Sequence, residues 1–315
     1  MLKKRLIANS LLVLTALIWG VAFVAQNVAM DSIGTFSFNA LRSLIAGAVL
    51  LPVVLIRKSR TEAAPPEIRK KLFVGGILCG VIMFIASFFQ QKGIELGASS
   101  GKAGFITALY IVFVPLMGLF TKKRPPAAVW LGVAFAVMGM YLLCLHGKTS
   151  GAIIEKGDIF LLVCAVGFAA HIVVIDRFAP HVDGLQLSCI QFFVSGLLNL
   201  IMLPISESIS LGAVMSAWLP ILYAGVLSSC VGYTLQIVAQ KNTRPAVASL
   251  IMSLESVFAA LAGWLILKES MSATELIGCG LVFLAVMLAQ SDVFFAKDKG
   301  LPADKQGSGA RSAGQ

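Results

Sequence analysis

The stretch AVASLIMSLESVFAALAGWLIL, residues 246–267, carries a single ionisable side chain, Glu255. A bilayer core of about 30 Å is crossed by about 20 apolar residues in a helix, so this run has the length of one membrane span. It is too long, and too evenly apolar, for the alternating strands of about ten residues that build a membrane barrel. Working outward, runs of the same kind recur at 7–29, 36–56, 72–92, 100–121, 127–146, 158–178, 185–205, 217–239 and 273–293. With the opening stretch they predict an all-α integral membrane protein of ten transmembrane helices joined by short loops.

Composition points the same way. The 315 residues are 58% hydrophobic and 13% charged, with a mean hydropathy of +0.91. Soluble domains are about 45–50% apolar and 25% charged, which excludes a soluble domain here. A net charge of +10 would invite a nucleic-acid reading in a soluble chain, but here the charge follows the loops and no nucleic-acid partner is expected.

With the N-terminus inside, the cytoplasmic loops and tail hold Lys3, Lys4, Arg5, Arg57, Lys58, Arg60, Arg69, Lys70, Lys71, Lys122, Lys123, Arg124, Arg177, Lys241, Arg244 and four tail residues, 19 of the 25 basic residues. Lys92, Lys102, Lys148, Lys156 and Lys268 fall outside, and Arg42 lies within a helix. This asymmetry predicts cytoplasmic N and C termini. The basic start MLKKR precedes an apolar run that continues to Ala29, longer than a signal-peptide core, so it is expected to stay as the first helix. Residues 294–315 are polar and predict a disordered cytoplasmic tail. The six cysteines, Cys79, Cys144, Cys164, Cys189, Cys230 and Cys279, fall in predicted helices without metal-ligand spacing and are expected to pack as small apolar residues.

The chain repeats itself. Sliding residues 72–124 by 145 positions onto 217–269 gives 11 identities in 53 positions, pairing Gly80 with Gly225, Gln91 with Gln236, Phe113 with Phe258 and Gly118 with Gly263. In the same order Gly20 pairs with Gly167, Arg42 with Gln191 and Gly47 with Gly196. Five helices per copy enter the second copy from the opposite side, and the loop charges invert accordingly: six basic residues follow helix two, none sit in SESISLG after helix seven. The boundaries expected are 1–147 for the first five-helix repeat and 148–293 for the second, related by a twofold axis in the membrane plane.

LIWGVAFV at 17–24, FNALRSLIAG at 38–47 and ASLIMSLESVFAALAGWLILKESMSATELIGCGLVFLAVML at 248–288 resemble the drug/metabolite transporter superfamily, specifically its EamA-type ten-helix members. The resemblance covers residues 7–293. The family commonly has Pro-Val after the helix-nine glutamate and a Gly-Glu loop; here Ser256 replaces the proline and Lys268 the glycine before Glu269. The resemblance implies transport and says little of substrate, since members are thought to move amino acids, metabolites, drugs or nucleotide sugars.

Glu255 lies about 15 Å into its helix, at the midplane, where an ionised acid costs about 2.5–3.5 kcal/mol on the lenient insertion scale. Ser249, Met252, Ser256, Ala259 and Gly263 make a narrow face beside it, which predicts that the face points inward. Three roles stand open: structural pairing, proton loading by a desolvated carboxyl group, and contact with a cationic substrate group. Arg42, about one side-chain length above it, is the expected partner, with interfacial snorkelling or a substrate carboxylate as the rival destinations. Tyr110 occupies the repeat position of Glu255.

Other polar residues fall in stripes: Asn27 with Ala16, Gly20 and Phe23; Gln91 with Phe84 and Ser87; Tyr233, Gln236 and Gln240; and Thr107 with Tyr110. Trp19 is mid-helix, and His171 follows Gly167 by one turn. Together Glu255, Arg42, Tyr110, Gln91, Gln236, Tyr233, Asn27, Trp19, His171 and Thr107 predict a polar, aromatic-walled cavity for a small-molecule substrate. Trp130, Trp218 and Trp264, near helix ends, fit an aromatic belt against the lipid bilayer.

No HExxH, GxSxG, Walker or GxGxxG pattern is present, so neither an enzyme nor a cofactor is expected. The reading is a secondary transporter of the cytoplasmic membrane that exports an amino acid or related metabolite by alternating access, with protons as candidate coupling ions. A lipid-linked intermediate flippase and a non-transporting membrane sensor or assembly subunit are the alternatives.

Overall fold

The structure is a computed structural model that describes residues 2–58, 64–120, 125–144, 155–266, 268 and 272–289. Arg60, Lys122, Lys123, Arg124, Lys148, Glu269 and the tail at 294–315 lie outside the described residues.

Helices follow one another as α1 (Leu2–Met30), α2 (Thr35–Lys58), α3 (Pro66–Glu95), α4 (Ser100–Phe120), α5 (Ala127–Cys144), α6 (Lys156–Phe178), α7 (Gly184–Ser206), α8 (Trp218–Gln240), α9 (Pro245–Ile266) and α10 (Ala273–Ala289). Among the described residues there is no strand, and eight of these helices are long and apolar enough to cross a membrane. Ala127–Leu142 in α5 and Ala273–Leu288 in α10 are shorter apolar helices. This is an all-helical, multi-pass membrane protein.

Local chemistry sets the ends. Pro66 and Pro245 open α3 and α9, where the first turn has no use for an amide hydrogen. Past the end of α3, Gly97 takes φ +98°, and its amide donates to the Ile94 carbonyl at 2.9 Å, the left-handed turn that a Cβ would strain. Asp183 caps α7 by accepting from the amides of Leu185 and Gln186, both at 3.0 Å.

Polarity runs opposite to that of a soluble protein. Gln91, Gln191, Ser195, Asn199, Ser249 and Ser253 are fully buried, while Phe73, Ile77, Ile201 and Leu265 are exposed. Lipid solvates the outer apolar surface, so the inside is left to small and polar residues that let helices approach closely.

The packing is self-related. α1 packs on α8 and α9, and α6 packs on α3 and α4; α2 packs on α8, and α7 on α3. Exchanging each helix with the one five places away maps these pairs onto each other, while α2 with α7, α4 with α9 and α5 with α10 map onto themselves. Glycines repeat the relation at atomic scale. A Cβ on Gly80 would meet Val194 at 2.6 Å and the Gln191 carbonyl oxygen at 2.8 Å; one on Gly225 would meet Ile45 at 2.8 Å and the Arg42 carbonyl oxygen at 3.3 Å.

Three helices depart from plain α geometry. α4 breaks at Leu109 between Ser100–Ala108 and Tyr110–Phe120, and α9 breaks at Ser253 between Pro245–Met252 and Leu254–Ile266. At the α9 break the Ser253 and Ser256 hydroxyls donate to the carbonyls of Leu250 and Ser253, at 2.7 and 2.8 Å, taking up acceptors near the break. In α8, Tyr223–Tyr233 forms a π-helix, whose wider turns hold more residues than α turns.

Candidate functional site: a polar cavity at the helix breaks

The two broken helices cross each other, and the breaks place Tyr110 and Glu255 in the wall of one cavity. Tyr110 opens the second segment of α4, and Glu255 is the second residue of the second segment of α9. Both are buried and approach one another, yet Tyr110 Oη and Glu255 Oε1 complete no hydrogen bond. Discontinuous helices of this kind place backbone and side-chain groups at membrane depth only where protein or a water-filled space can satisfy them.

Arg42 reaches the same cavity from α2 and is 3% exposed. Its guanidinium lies over the Phe38 ring, 5.6 Å from the centroid, a cation–π placement. The expected pairing of Arg42 with Glu255 is not formed: no carboxylate among the described residues lies within 4.0 Å of the guanidinium. Depth along the two helices allows the contact, and both groups line the same cavity without completing it.

Aromatic rings organise the space between them. Tyr233 is the hub, with Trp19 at 4.5 Å, Phe192 at 5.7 Å, His171 at 5.8 Å and Phe168 at 6.5 Å between ring centroids. Trp19 is fixed by its indole N–H, which donates at 3.1 Å to the carbonyl of Ser228 in the π-helix. The Thr15 hydroxyl donates at 2.9 Å to the Leu11 carbonyl of its own helix and lies 3.4 Å from the Gly232 carbonyl in the same π stretch. His171 Nε2 pairs with Gln191 Oε1 at 3.1 Å.

Of the residues named from the sequence, Trp19, Arg42, Thr107, Tyr110, His171, Tyr233, Gln236 and Glu255 line this cavity; Asn27 and Gln91 do not. The Asn27 amide donates to the Ala98 carbonyl at 3.2 Å, a tie from α1 to the loop between α3 and α4, and that of Gln91 donates to the Gln26 carbonyl at 3.2 Å, a tie between α3 and α1. Their neighbours Gln26 and Gln90 face the cavity instead. On α1 the stripe through Gly20 is the contact face: a Cβ there would lie 2.4 Å from that of Phe258 and 2.8 Å from the Glu255 carbonyl oxygen. The cavity face, Trp19, Phe23 and Gln26, lies one residue away.

The π-helix explains why Gln236 lines the cavity while its repeat partner Gln91 does not. Over Tyr223–Tyr233 the wider turns of α8 advance each residue through a smaller angle than the α turns of α3 do, so residues beyond the stretch fall out of rotational step with their repeat partners, and Gln236 and Gln90 both line the cavity. Sequence offsets carry no sign of this, because a π stretch leaves no gap in an alignment.

Gln90 donates to the Thr107 hydroxyl at 3.4 Å, and Thr107 Oγ1 lies 3.9 Å from Cys164 Sγ. Among the described residues no cluster of His, Cys, Asp and Glu has the makings of a metal site. What the cavity offers is one guanidinium, one carboxyl group, one imidazole, hydroxyls, amides and an aromatic wall, groups able to hold a small polar molecule.

Comparison with known proteins now bears on the whole chain. The EamA-like transporter family matches it twice, over residues 6–145 and 155–290. The chain belongs to the EamA-like transporter family. It is 30% identical over 291 residues to an uncharacterized transporter of Archaeoglobus fulgidus, covering 90% of this chain and 86% of that one. It is 23% identical over 273 residues to the uncharacterized inner membrane transporter YedA of Escherichia coli K12, covering 86% and 87%. A crystal structure superposes with a TM-score of 0.73 over 92% of this chain and 99% of the other at 19% identity, which shows a shared fold. This EamA-like protein is a membrane transporter.

Proposed function

We propose that this transporter is a secondary carrier that exports a small polar metabolite, an amino acid or a related compound, by alternating access. The observation that carries the reading is the pair Arg42 and Glu255: a guanidinium and a carboxyl group lining one buried cavity without an ion pair between them. A solute bearing a carboxylate and an ammonium group satisfies both at once, and the rings around Tyr233 accept its apolar part.

Ten spanning helices in two inverted repeats, 1–147 and 148–293, supply the moving parts. The exchange symmetry of the helix pairs and the matched glycine seats at Gly80 and Gly225 support two halves related by a twofold axis in the membrane plane. Lys3, Lys4, Arg5, Arg57, Arg69, Lys70, Lys71, Arg177, Lys241 and Arg244 gather at the end of the bundle that holds Leu2, while Lys92, Lys102, Lys156 and Lys268 lie at the other. That bias supports cytoplasmic termini in a cytoplasmic membrane.

Counterflow in liposomes holding the purified full-length protein tests the reading. Exchange of a labelled amino acid against an internal pool supports it, and sided addition gives the direction. Binding without flux favours a sensor or assembly subunit and overturns it; movement of a lipid-linked compound alone favours a flippase.

A further inference from the structure

Arg42 and Gln191 hold equivalent places in the two halves. Gly80 seats against the carbonyl of Gln191 and Gly225 against that of Arg42, flanked by Val194 and Ile45 respectively. Yet only Arg42 lines the cavity. Gln191 is fully buried behind His171, and its Oε1 sits 3.1 Å from His171 Nε2. The front position differs as well: by the spacing that matches Gly20 with Gly167, His171 stands where the first half has Val24. One half therefore presents a guanidinium over an apolar neighbour, and the other presents an imidazole backed by an amide.

An amide oxygen only accepts, so it is satisfied when Nε2 carries the hydrogen. A neutral imidazole has one N–H, which leaves Nδ1 with a lone pair. In the structure Nδ1 is buried and has no hydrogen-bond partner, although His171 lines the cavity. Tyr233 meets the ring edge-on at 5.8 Å and holds it from the other side. A buried acceptor left unpaired costs free energy, and a solute in the cavity is what remains to pair it.

We propose that Gln191 is a positioning residue that holds His171 with Nδ1 unprotonated and unpaired at the cavity wall, as the acceptor for an N–H or O–H of the transported solute. The inference rests on the cavity being the transport site. It deepens that reading by making the two halves chemically unlike: Arg42 donates and His171 accepts. A solute spanning them needs an anionic group and a hydrogen-bond donor, and a simple monocarboxylate has no group to offer Nδ1.

Nitrogen-15 NMR of the full-length protein in lipid nanodiscs, labelled at its three histidines, reads this directly. A His171→Asn sample assigns the signal. In the parent protein His171 should show a protonated Nε2 and an unprotonated Nδ1. Ethanolamine and L-serine, each titrated alone, should move the Nδ1 resonance upfield, and acetate should leave it unchanged. Gln191→Met, of similar length but without the acceptor, should give a mixture of both ring tautomers, and Gln191→Glu should restore the protonated Nε2.

A protonated Nδ1 in the parent protein overturns the proposal, as does an Nδ1 that neither donor probe moves. These outcomes need only the assigning variant His171→Asn to fold, not the Gln191 variants. Liposome counterflow separates the two levels: flux with an unresponsive Nδ1 overturns only the role of Gln191 and His171. A responsive Nδ1 in a protein that carries no solute upholds that role and overturns the transport reading.

Discussion

Glu207, just past the end of α7, closes the start of α2: its carboxylate accepts from the amides of Phe36 and Ser37 at 2.8 and 3.0 Å and from the Ser37 hydroxyl at 2.8 Å. The first turn of a helix has amides without internal partners and a partial positive charge, so a carboxylate borrowed from another helix serves as its cap. Gly34 makes room for it, since a Cβ there would lie 2.4 Å from the Glu207 carboxyl carbon. At the opposite end of the bundle the relation is reversed: Arg57 of α2 lies 3.7 Å from Asp183, the cap of α7. Each helix ends beside the beginning of its counterpart, so these ties join the two halves.

Removing the cap is the first test. Glu207→Ala leaves the Phe36 and Ser37 amides without that partner and should lower stability by about 1–2 kcal/mol, the usual loss for a helix cap. Glu207→Gln keeps one acceptor oxygen and should lose less. Thermal unfolding in detergent, followed by the fluorescence of a thiol-reactive dye, reads the difference, and equal unfolding temperatures for all three proteins would refute the cap.

Arg42 is expected to set affinity for the anionic end of the solute. Arg42→Gln should raise the KM for a carboxylate-bearing substrate about 10- to 100-fold, the loss of a charge-assisted hydrogen bond worth about 1.5–3 kcal/mol. Arg42→Lys should recover only part, because an ammonium lacks the planar fork. Initial rates of counterflow check both. A KM that is unchanged in Arg42→Gln would place the anion elsewhere.

Glu255 is expected to separate binding from coupling. If its carboxyl group carries the proton in the proposed cycle, Glu255→Gln should retain solute exchange and lose the dependence of flux on a pH gradient, because an amide neither loads nor releases a proton at neutral pH. Flux recorded with and without an imposed gradient decides. A Glu255→Gln protein that exchanges nothing and unfolds early would instead assign the carboxyl group to holding α9 against its neighbours.

Most of the fold was legible because apolar length is a direct physical requirement of the bilayer, and charge bias in the loops is another. Eight of the ten residues named from the sequence line one cavity, since a polar side chain at mid-helix must find partners inside. Asn27 and Gln91 instead donate to the carbonyls of Ala98 and Gln26; on α1 the seat of Gly20 marks where helices touch, and Trp19 and Gln26 lie on the adjoining face. Arg42 and Glu255 share a depth, and depth along two helices does not give direction around them. Gln191 stayed invisible as a site residue because its part is played behind His171, a relation that exists only once α6 and α7 are packed.

The π-helix of α8 yields the boldest prediction. If Tyr223–Tyr233 holds one residue more than an α-helix of the same rotation, removing one residue there should let the stretch revert to α geometry without turning Gln236 away from the cavity. Leu227 is the residue to remove, because its side chain is exposed to the lipid side and packs little. Deleting it forfeits the carbonyl that Ser228 offers to Trp19, an expected cost of about 0.5–1.5 kcal/mol for one hydrogen bond. Folding should survive. The matching deletion in α3, Ile82, removes a residue from regular α geometry, and should rotate everything after it by about 100° and bury Gln90 and Gln91 against the wrong helices. Size-exclusion profiles and unfolding temperatures of the two deletions compare them on equal terms: a stable Leu227 deletion beside an aggregated Ile82 deletion supports the extra residue in α8, and the reverse result removes it.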